Sequence, residues 1–308
     1  MPSSSLRRTL SRTFVLAFCA IAILDAQEGA SAFAAPGAIS TREGFVRVPA
    51  GSFAMGSPES EKSRGSDEGP QHVVRLAAFS IGRYEVTQGE WVAVMGYNPS
   101  SFEGDRLPVD GVSWYEVLVY CNKRSMGEGL SPCYSIAASS DPSLWGDAPK
   151  SANGAWNAVA CDFSADGYRM PTEAEWEYAC RSGTMTATSF GETLDSAQAN
   201  FDGNTQYLVP AKGNSLGRTA PVGSYAANAW GIYDMHGNVW EWCWDRYSDR
   251  YYIRSPPADP RGADAGRYRV LRGGSWSNFG YRLRSAARRD EDPFYRDADD
   301  GFRLVVGR

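Results

Sequence analysis

Gly231-Ile232-Tyr233-Asp234-Met235-His236-Gly237-Asn238-Val239-Trp240-Glu241-Trp242 joins a Gly- and Asn-bearing turn to an alternating aromatic run that continues to Trp244. Alternation with period two is the mark of a strand, so Trp240, Trp242 and Trp244 fall on one side. Three indoles on one side read as core packing or as an aromatic ligand platform, and packing is the preferred reading. Downstream lie Arg272-Gly273-Gly274-Ser275-Trp276 and Gly301-Phe302-Arg303-Leu304. Upstream, in chain order, are Gly82-Arg83-Tyr84-Glu85-Val86-Thr87, the run from Leu107 to Trp114, the run from Gly167 to Ala179, and Thr219-Ala220-Pro221-Val222-Gly223.

Three helices announce themselves by one device. Thr87 with Glu90, Ser113 with Glu116, and Thr172 with Glu175 each place a hydroxyl three residues before a glutamate. That capping box satisfies orphan amides at a helix start. The predicted helices span 87–95, 113–126 and 172–182, with Trp91, Trp114 and Trp176 as inward anchors in their first or second turns. Pro171 steers Met170 out of the α region, so Arg169-Met170-Pro171 is an extended arm leading into the third helix. Glu173 and Glu177 share a face of that helix, and a solvated or salt-bridged role is preferred to an acid–base pair. Residues 57–71 read as a loop, and the polar stretch Ser139–Ser164 as a surface insertion. Beyond Gly183 only short strands and turns are expected. Long ordered stretches with so little regular structure make bound metal ions plausible.

The chain has 308 residues, 43 % hydrophobic and 13 % aromatic, with 32 Gly and 10 Trp, which allows a sizeable but loop-rich core. A net charge of −5 without a basic stripe argues against a nucleic-acid partner. Arg7, Arg8 and Arg12 precede an apolar run from Phe14 to Leu24 and a small-x-small site at Ala32-Phe33-Ala34, the pattern of a signal peptide. The expected divisions are a signal peptide over 1–34, a leader over 35–43 and one domain over 44–308, exported to the periplasm, the cell surface or the medium. An uncleaved anchor is the alternative. Cys19 follows Leu16-Ala17-Phe18, which resembles a lipoprotein box with Phe18 where a small residue is usual. No later segment is apolar enough to span a membrane. Of the remaining cysteines, Cys133 and Cys161 are the preferred disulfide, and Cys121, Cys180 and Cys243 read as buried thiols. Two histidines and no CxxC argue against zinc or iron sites.

The seven motifs, in register from Phe45 to the C-terminus, resemble the sulfatase-modifying-factor family, whose founding activity is formylglycine generation. The resemblance implies an α+β domain of the formylglycine-generating-enzyme fold, C-type-lectin-like, with few short helices, small antiparallel sheets and calcium holding its loops. It maps one calcium site onto Asn200, the Phe201 carbonyl, Asn214 and the Leu216 carbonyl, and another onto Asn238, the Val239 carbonyl and Glu241. Oxygen donors of this kind suit calcium. The family's oxidase chemistry requires two thiolates, one three residues after the serine of Arg-Gly-Gly-Ser and one five further on, which together hold monovalent copper. Here those positions are Asn278 and Leu283, and no cysteine follows Cys243. Neither an amide nor an alkyl group replaces a thiolate on soft copper, so copper is not expected. The sulfoxide synthases of the same superfamily use a three-histidine iron site, which two histidines cannot build.

Between Ser277 and Asp300, aromatic and acidic residues interleave: Asn278, Phe279, Tyr281, Asp290, Asp292, Phe294, Tyr295 and Asp297 are the candidate ligand contacts. Phe and Tyr give large contact area with few rotors to freeze. The plainer framework around them is Arg272, Ser285, Ala286, Arg288, Pro293, Arg296 and Gly301. This pattern resembles the C-terminal variable region of lectin-fold proteins diversified by retroelements, and a solvated acidic loop is the bland alternative. The preferred expectation is a non-catalytic ligand-binding or display protein whose partner is a protein or peptide at this C-terminal face. The alternative is a formylglycine-generating oxidase acting on exported sulfatases.

Overall fold

All three hydroxyl–x–x–Glu signatures start helices in the computed structural model, which describes residues 43–306. The helices are α1 (Gln88–Met95), α2 (Trp114–Gly127), a single turn α3 (Gly154–Asn157) and α4 (Glu173–Arg181). Thr87, Ser113 and Thr172 are the N-caps of α1, α2 and α4, each in the reciprocal arrangement expected. For α4, the Glu175 amide donates to Thr172 Oγ1 at 3.2 Å and the Thr172 amide to Glu175 Oε2 at 2.8 Å. Trp91, Trp114 and Trp176 are fully buried.

The strands are β1 (Phe45–Val48), β2 (Gly51–Met55), β3 (His72–Leu76), β4 (Phe79–Gly82), β5 (Tyr134–Ser135), β6 (Ala160–Cys161), β7 (Tyr168–Arg169), β8 (Trp240–Arg246), β9 (Arg269–Arg272), β10 (Arg288–Glu291), β11 (Asp300–Gly301) and β12 (Val305–Val306). One four-stranded sheet runs β1-β4-β12-β7, so the last described strand is pinned between β4 and the arm that leads into α4. A second runs β10-β9-β8-β11, and two-stranded ribbons pair β2 with β3 and β5 with β6. The second sheet positions the candidate site. Its central strand β8 buries Trp240 and Trp242 in the larger core cluster with Trp91, Trp114 and Phe302, and half-buried Trp244 packs against the same cluster. The tryptophan row is therefore core. Trp242 Nε1 donates to the Val112 carbonyl at 2.9 Å and Trp244 stacks on Tyr134.

Two expectations are corrected. The described cysteines are free thiols, with no bridge between Cys133 and Cys161. The β5–β6 ladder sets Cys161 opposite Tyr134, one residue out of step with Cys133, and a one-residue offset sends neighbouring side chains to opposite faces. The stretch from Ser139 to Ser164 is not merely a surface insertion. It contains α3 and β6, and Trp156 is buried against Tyr115 with ring centroids 5.4 Å apart. Among the described residues no helix is long and apolar enough to cross a membrane. The signal peptide, the leader up to residue 42 and Cys19 lie outside the described residues.

Candidate functional site

After β9 the chain turns through Gly273 (φ +99°) and Gly274 (φ +75°), a left-handed backbone that side chains resist. A Cβ at Gly274 would stand 2.8 Å from Leu283 Cδ1, so space as well as conformation demands glycine there. The turn delivers Ser275, whose hydroxyl lies 2.5 Å from Asp299 Oδ2 and 3.2 Å from Asn278 Oδ1. Ser277 Oγ donates to the same Asp299 oxygen at 2.8 Å. The Asn278 carbonyl accepts from the Asp202 amide at 2.9 Å. Leu283 is buried with Leu194, Phe201 and Tyr207. Asn278 is thus wired into a polar network and Leu283 into core, and neither supplies sulfur.

The thiol bordering this region is Cys180, whose Sγ is 3.6 Å from Ser285 Oγ and 3.7 Å from His236 Nε2. A Cys–His pair invites a nucleophilic reading, and its electrostatics refuse it. Burial pushes the Cys180 thiol up to about 12 and drives His236 down to about 4, so at neutral pH the pair is a thiol and an uncharged ring. A catalytic cysteine needs the opposite shift. His236 Nδ1 donates to the Leu283 carbonyl at 2.6 Å, and Nε2 accepts from the Ser189 amide at 3.0 Å, a bracing role. Cys243 is buried as well. No pair of accessible thiols is present for copper among the described residues.

The residues mapped as calcium ligands divide. Asn200 is buried with its Oδ1 lacking any hydrogen-bond partner, while its Nδ2 donates to the Arg218 carbonyl and to Asn238 Oδ1, both at 3.0 Å. Phe201 is buried, whereas Asn214 and Leu216 sit on an exposed loop that returns to Asn200 through Arg218. An oxygen ligand stranded inside the protein fits a cation there. The second set is drawn into contacts with protein partners. Glu241 accepts from Arg303 through both oxygens, at 2.6 and 2.7 Å, and from Trp176 Nε1 at 2.8 Å. The Val239 amide and Asn238 Nδ2 both donate to Glu85. Glu241 is therefore the buried counter-ion of Arg303.

The C-terminal candidates also divide. Phe279, Tyr281 and Tyr295 are 42 %, 36 % and 45 % exposed, and the rings of Phe279 and Tyr281 lie 6.4 Å apart. Asn278 and Asp297 are half-buried beside Asp299. Phe294 packs its ring on the core. Asp292 is closed by Arg267 in a two-pronged pair at 2.7 and 2.6 Å, and half-buried Asp290 lies on β10. The framework beneath is rigid: Arg272 donates to the Ser285, Ala286 and Ala287 carbonyls. Beside the site, Phe102 meets Trp276 edge-on at 5.5 Å and carries the Arg218 guanidinium over its ring at 5.0 Å. Arg218 borders a cleft of about 830 Å³ with Leu107, Leu216 and Tyr225.

Asp110 was missed by sequence reasoning, where it stood only as one letter of a motif. It is fully buried, accepts from the Ser101 amide at 2.8 Å, and keeps its other oxygen without a partner. Burial, with the Asp299 charge adding to it, pushes its carboxyl from 3.8 up to about 6. The fold therefore favours the protonated acid. Its stabilising share is complete below the ordinary carboxylate range and is lost as pH rises through about 6. Asp110→Asn in EDTA is expected to raise the melting temperature by about 2–4 °C at pH 8 and by nothing at pH 4. A gain of equal size at both pH values would exclude this origin.

These features define a mixed α+β domain of the formylglycine-generating-enzyme fold in which both oxidase thiol positions are filled by other chemistry. The chain belongs to the sulfatase-modifying factor family, since the model described as "Sulfatase-modifying factor enzyme 1-like domain" matches residues 32–308. It is 36 % identical to the chaperone protein LppX of Paenibacillus barcinonensis, covering 82 % of this chain and 86 % of the relative. It is 33 % identical to the formylglycine-generating enzyme of Streptomyces coelicolor, covering 86 % and 90 %. Among solved structures it superposes on Treponema denticola variable protein 1 with a TM-score of 0.73 and 32 % identity, covering 86 % of this chain and 95 % of that one. The family thus includes members named as the oxidase and members named otherwise.

Proposed function

We propose that the chain is an exported, non-catalytic binding protein that meets a protein or peptide ligand through Phe279, Tyr281 and Tyr295, with Asn278 and Asp297 beside them. One observation carries the reading: an amide held by Ser275 and a core leucine occupy both thiol positions, while aromatic rings stand exposed on the adjoining segment. Likeness to a structure named as a variable protein supports it, as does the basic, then apolar, N-terminal sequence. Asp292 and Phe294, engaged by Arg267 and by the core, serve the face as supports. A calcium ion at Asn200, Phe201, Asn214 and Leu216 would tie the 200–218 loop down, and the unpartnered Asn200 oxygen is the reason to look there.

A displayed-peptide library panned on the purified chain tests the face. Aromatic hot-spot anchors carry about 2 kcal/mol each, so the Phe279→Ala/Tyr281→Ala double variant is expected to weaken a selected binder about a thousandfold. Undiminished binding would eliminate this face. Formation of aldehyde on a sulfatase-motif peptide supplied with copper and oxygen would instead establish the oxidase.

A further inference from the structure

The turn before β11 brings three carboxylates together: one oxygen from each of Asp297, Asp299 and Asp300 lies within 4.8 Å of the others. Ligands about 2.4 Å from a common centre have that spacing. Arg289 is the guanidinium among them. Its Nη1 is 2.8 Å from Asp300 Oδ1 and 3.6 Å from Asp299 Oδ1, and its Nη2 is 3.5 Å from both Asp297 Oδ2 and Glu291 Oε2. Only the Asp300 contact has hydrogen-bond length. One positive charge therefore faces four carboxylates.

Two further oxygens point to a missing ligand. Asp300 is fully buried and its Oδ2 has no partner, and the same holds for Asp110 Oδ2. Asp110 is carried beside the cluster by its neighbour Gly111, whose amide donates to the Asp297 carbonyl at 3.0 Å. A buried carboxylate oxygen is ordinarily satisfied, and two stranded beside a surplus of negative charge call for a cation. A proton would satisfy one oxygen, whereas a divalent ion serves several carboxylates at once. The serine hydroxyls of Ser275 and Ser277 both occupy Asp299 Oδ2, which fixes that carboxylate and leaves Oδ1 to the cluster. Half-exposed Asp297 opens the cluster to solvent.

We propose that Asp297, Asp299 and Asp300, backed by Asp110, form a site for a hard divalent cation such as calcium at the rim of the C-terminal face. All donors are oxygens, which selects calcium or manganese over soft metals. The site is distinct from the Asn200 set and holds whether or not the face binds a partner.

Terbium luminescence tests it on the full chain stripped with EDTA. Trp276 Nε1 donates to the Ala298 carbonyl, between two of the ligands, so its indole is placed to sensitise a bound ion. Indole excitation is expected to give terbium emission that calcium displaces. Asp297→Asn should weaken this component at least tenfold, Asp299→Asn should abolish it, and Asn200→Ala should leave it intact. Asp297 is half-exposed, its ion pair with Arg289 is long, and an asparagine can still accept the Ala298 amide that Oδ1 holds at 2.9 Å, so its variant should keep the wild-type far-UV circular dichroism. Absence of emission, full emission in Asp297→Asn, or loss confined to Asn200→Ala would each overturn the site.

Discussion

Glu177→Ala is expected to destabilise the domain by about 3–5 kcal/mol, the cost of stranding a buried charge. Glu177 is fully buried and accepts from Arg272, from Arg181 Nε at 2.8 Å and from the Gly56 amide at 2.9 Å. Removing it leaves two guanidiniums without their nearest anion in the core. Its helical neighbour Glu173 cannot compensate, because it is held by Arg288 at 2.6 and 3.0 Å and is 3.8 Å from Arg272. The damage should also reach the face, since Arg272 holds the 285–287 backbone. Urea denaturation of Glu177→Ala, Arg272→Met and the double variant gives the coupling between the two. A double variant less destabilised than the sum of the singles is expected. A loss under 1 kcal/mol in Glu177→Ala would mean that water reaches the network.

The same pair of glutamates shows how far sequence reasoning carried. Their shared helix face followed from spacing of four, and a salt-bridged role was one of the readings. Their burial did not follow, because the partners Arg272 and Arg288 are about a hundred residues downstream and no local pattern announces them. The helices were legible for the opposite reason: a capping box closes within four residues. Sheet order was hidden likewise, since β12 enters between β4 and β7 from the far end of the chain. At the candidate site, the loss of the thiol pair was plain from Asn278 and Leu283, whereas the exposure of Phe279, Tyr281 and Tyr295 does not follow from residue type, since aromatic rings are more often buried. Composition could not show that Asp292 is closed by Arg267, that Glu241 belongs to Arg303, or that Asp110 backs Asp299. Each of these depends on which cation or carboxylate the fold brings alongside.

Asn278→Cys combined with Leu283→Cys is expected to create a tight site for monovalent copper, which the unmodified chain is not expected to hold. The scaffold for it survives. Gly273 and Gly274 still make the turn, Ser275 still stands at its exit, and the 3₁₀ turn Gly280–Leu283 still fixes the second position relative to the first. What is lacking is donor softness, and two thiolates satisfy a d¹⁰ ion that amide and alkyl groups do not. Leu283 is core, so its replacement removes buried methyl groups and should cost about 1–3 kcal/mol, which the domain must tolerate for the experiment to read cleanly. Competition with a chromophoric copper(I) chelator should show one ion retained by the double variant and none by either single variant, because one thiolate cannot make a linear pair. Failure of the folded double variant to hold copper would show that the departure from the oxidase extends beyond these two side chains. Copper held tightly by the unmodified chain, and released on alkylating its thiols, would mean that Cys180 or Cys243 opens to the metal in solution, and the non-catalytic reading would fall.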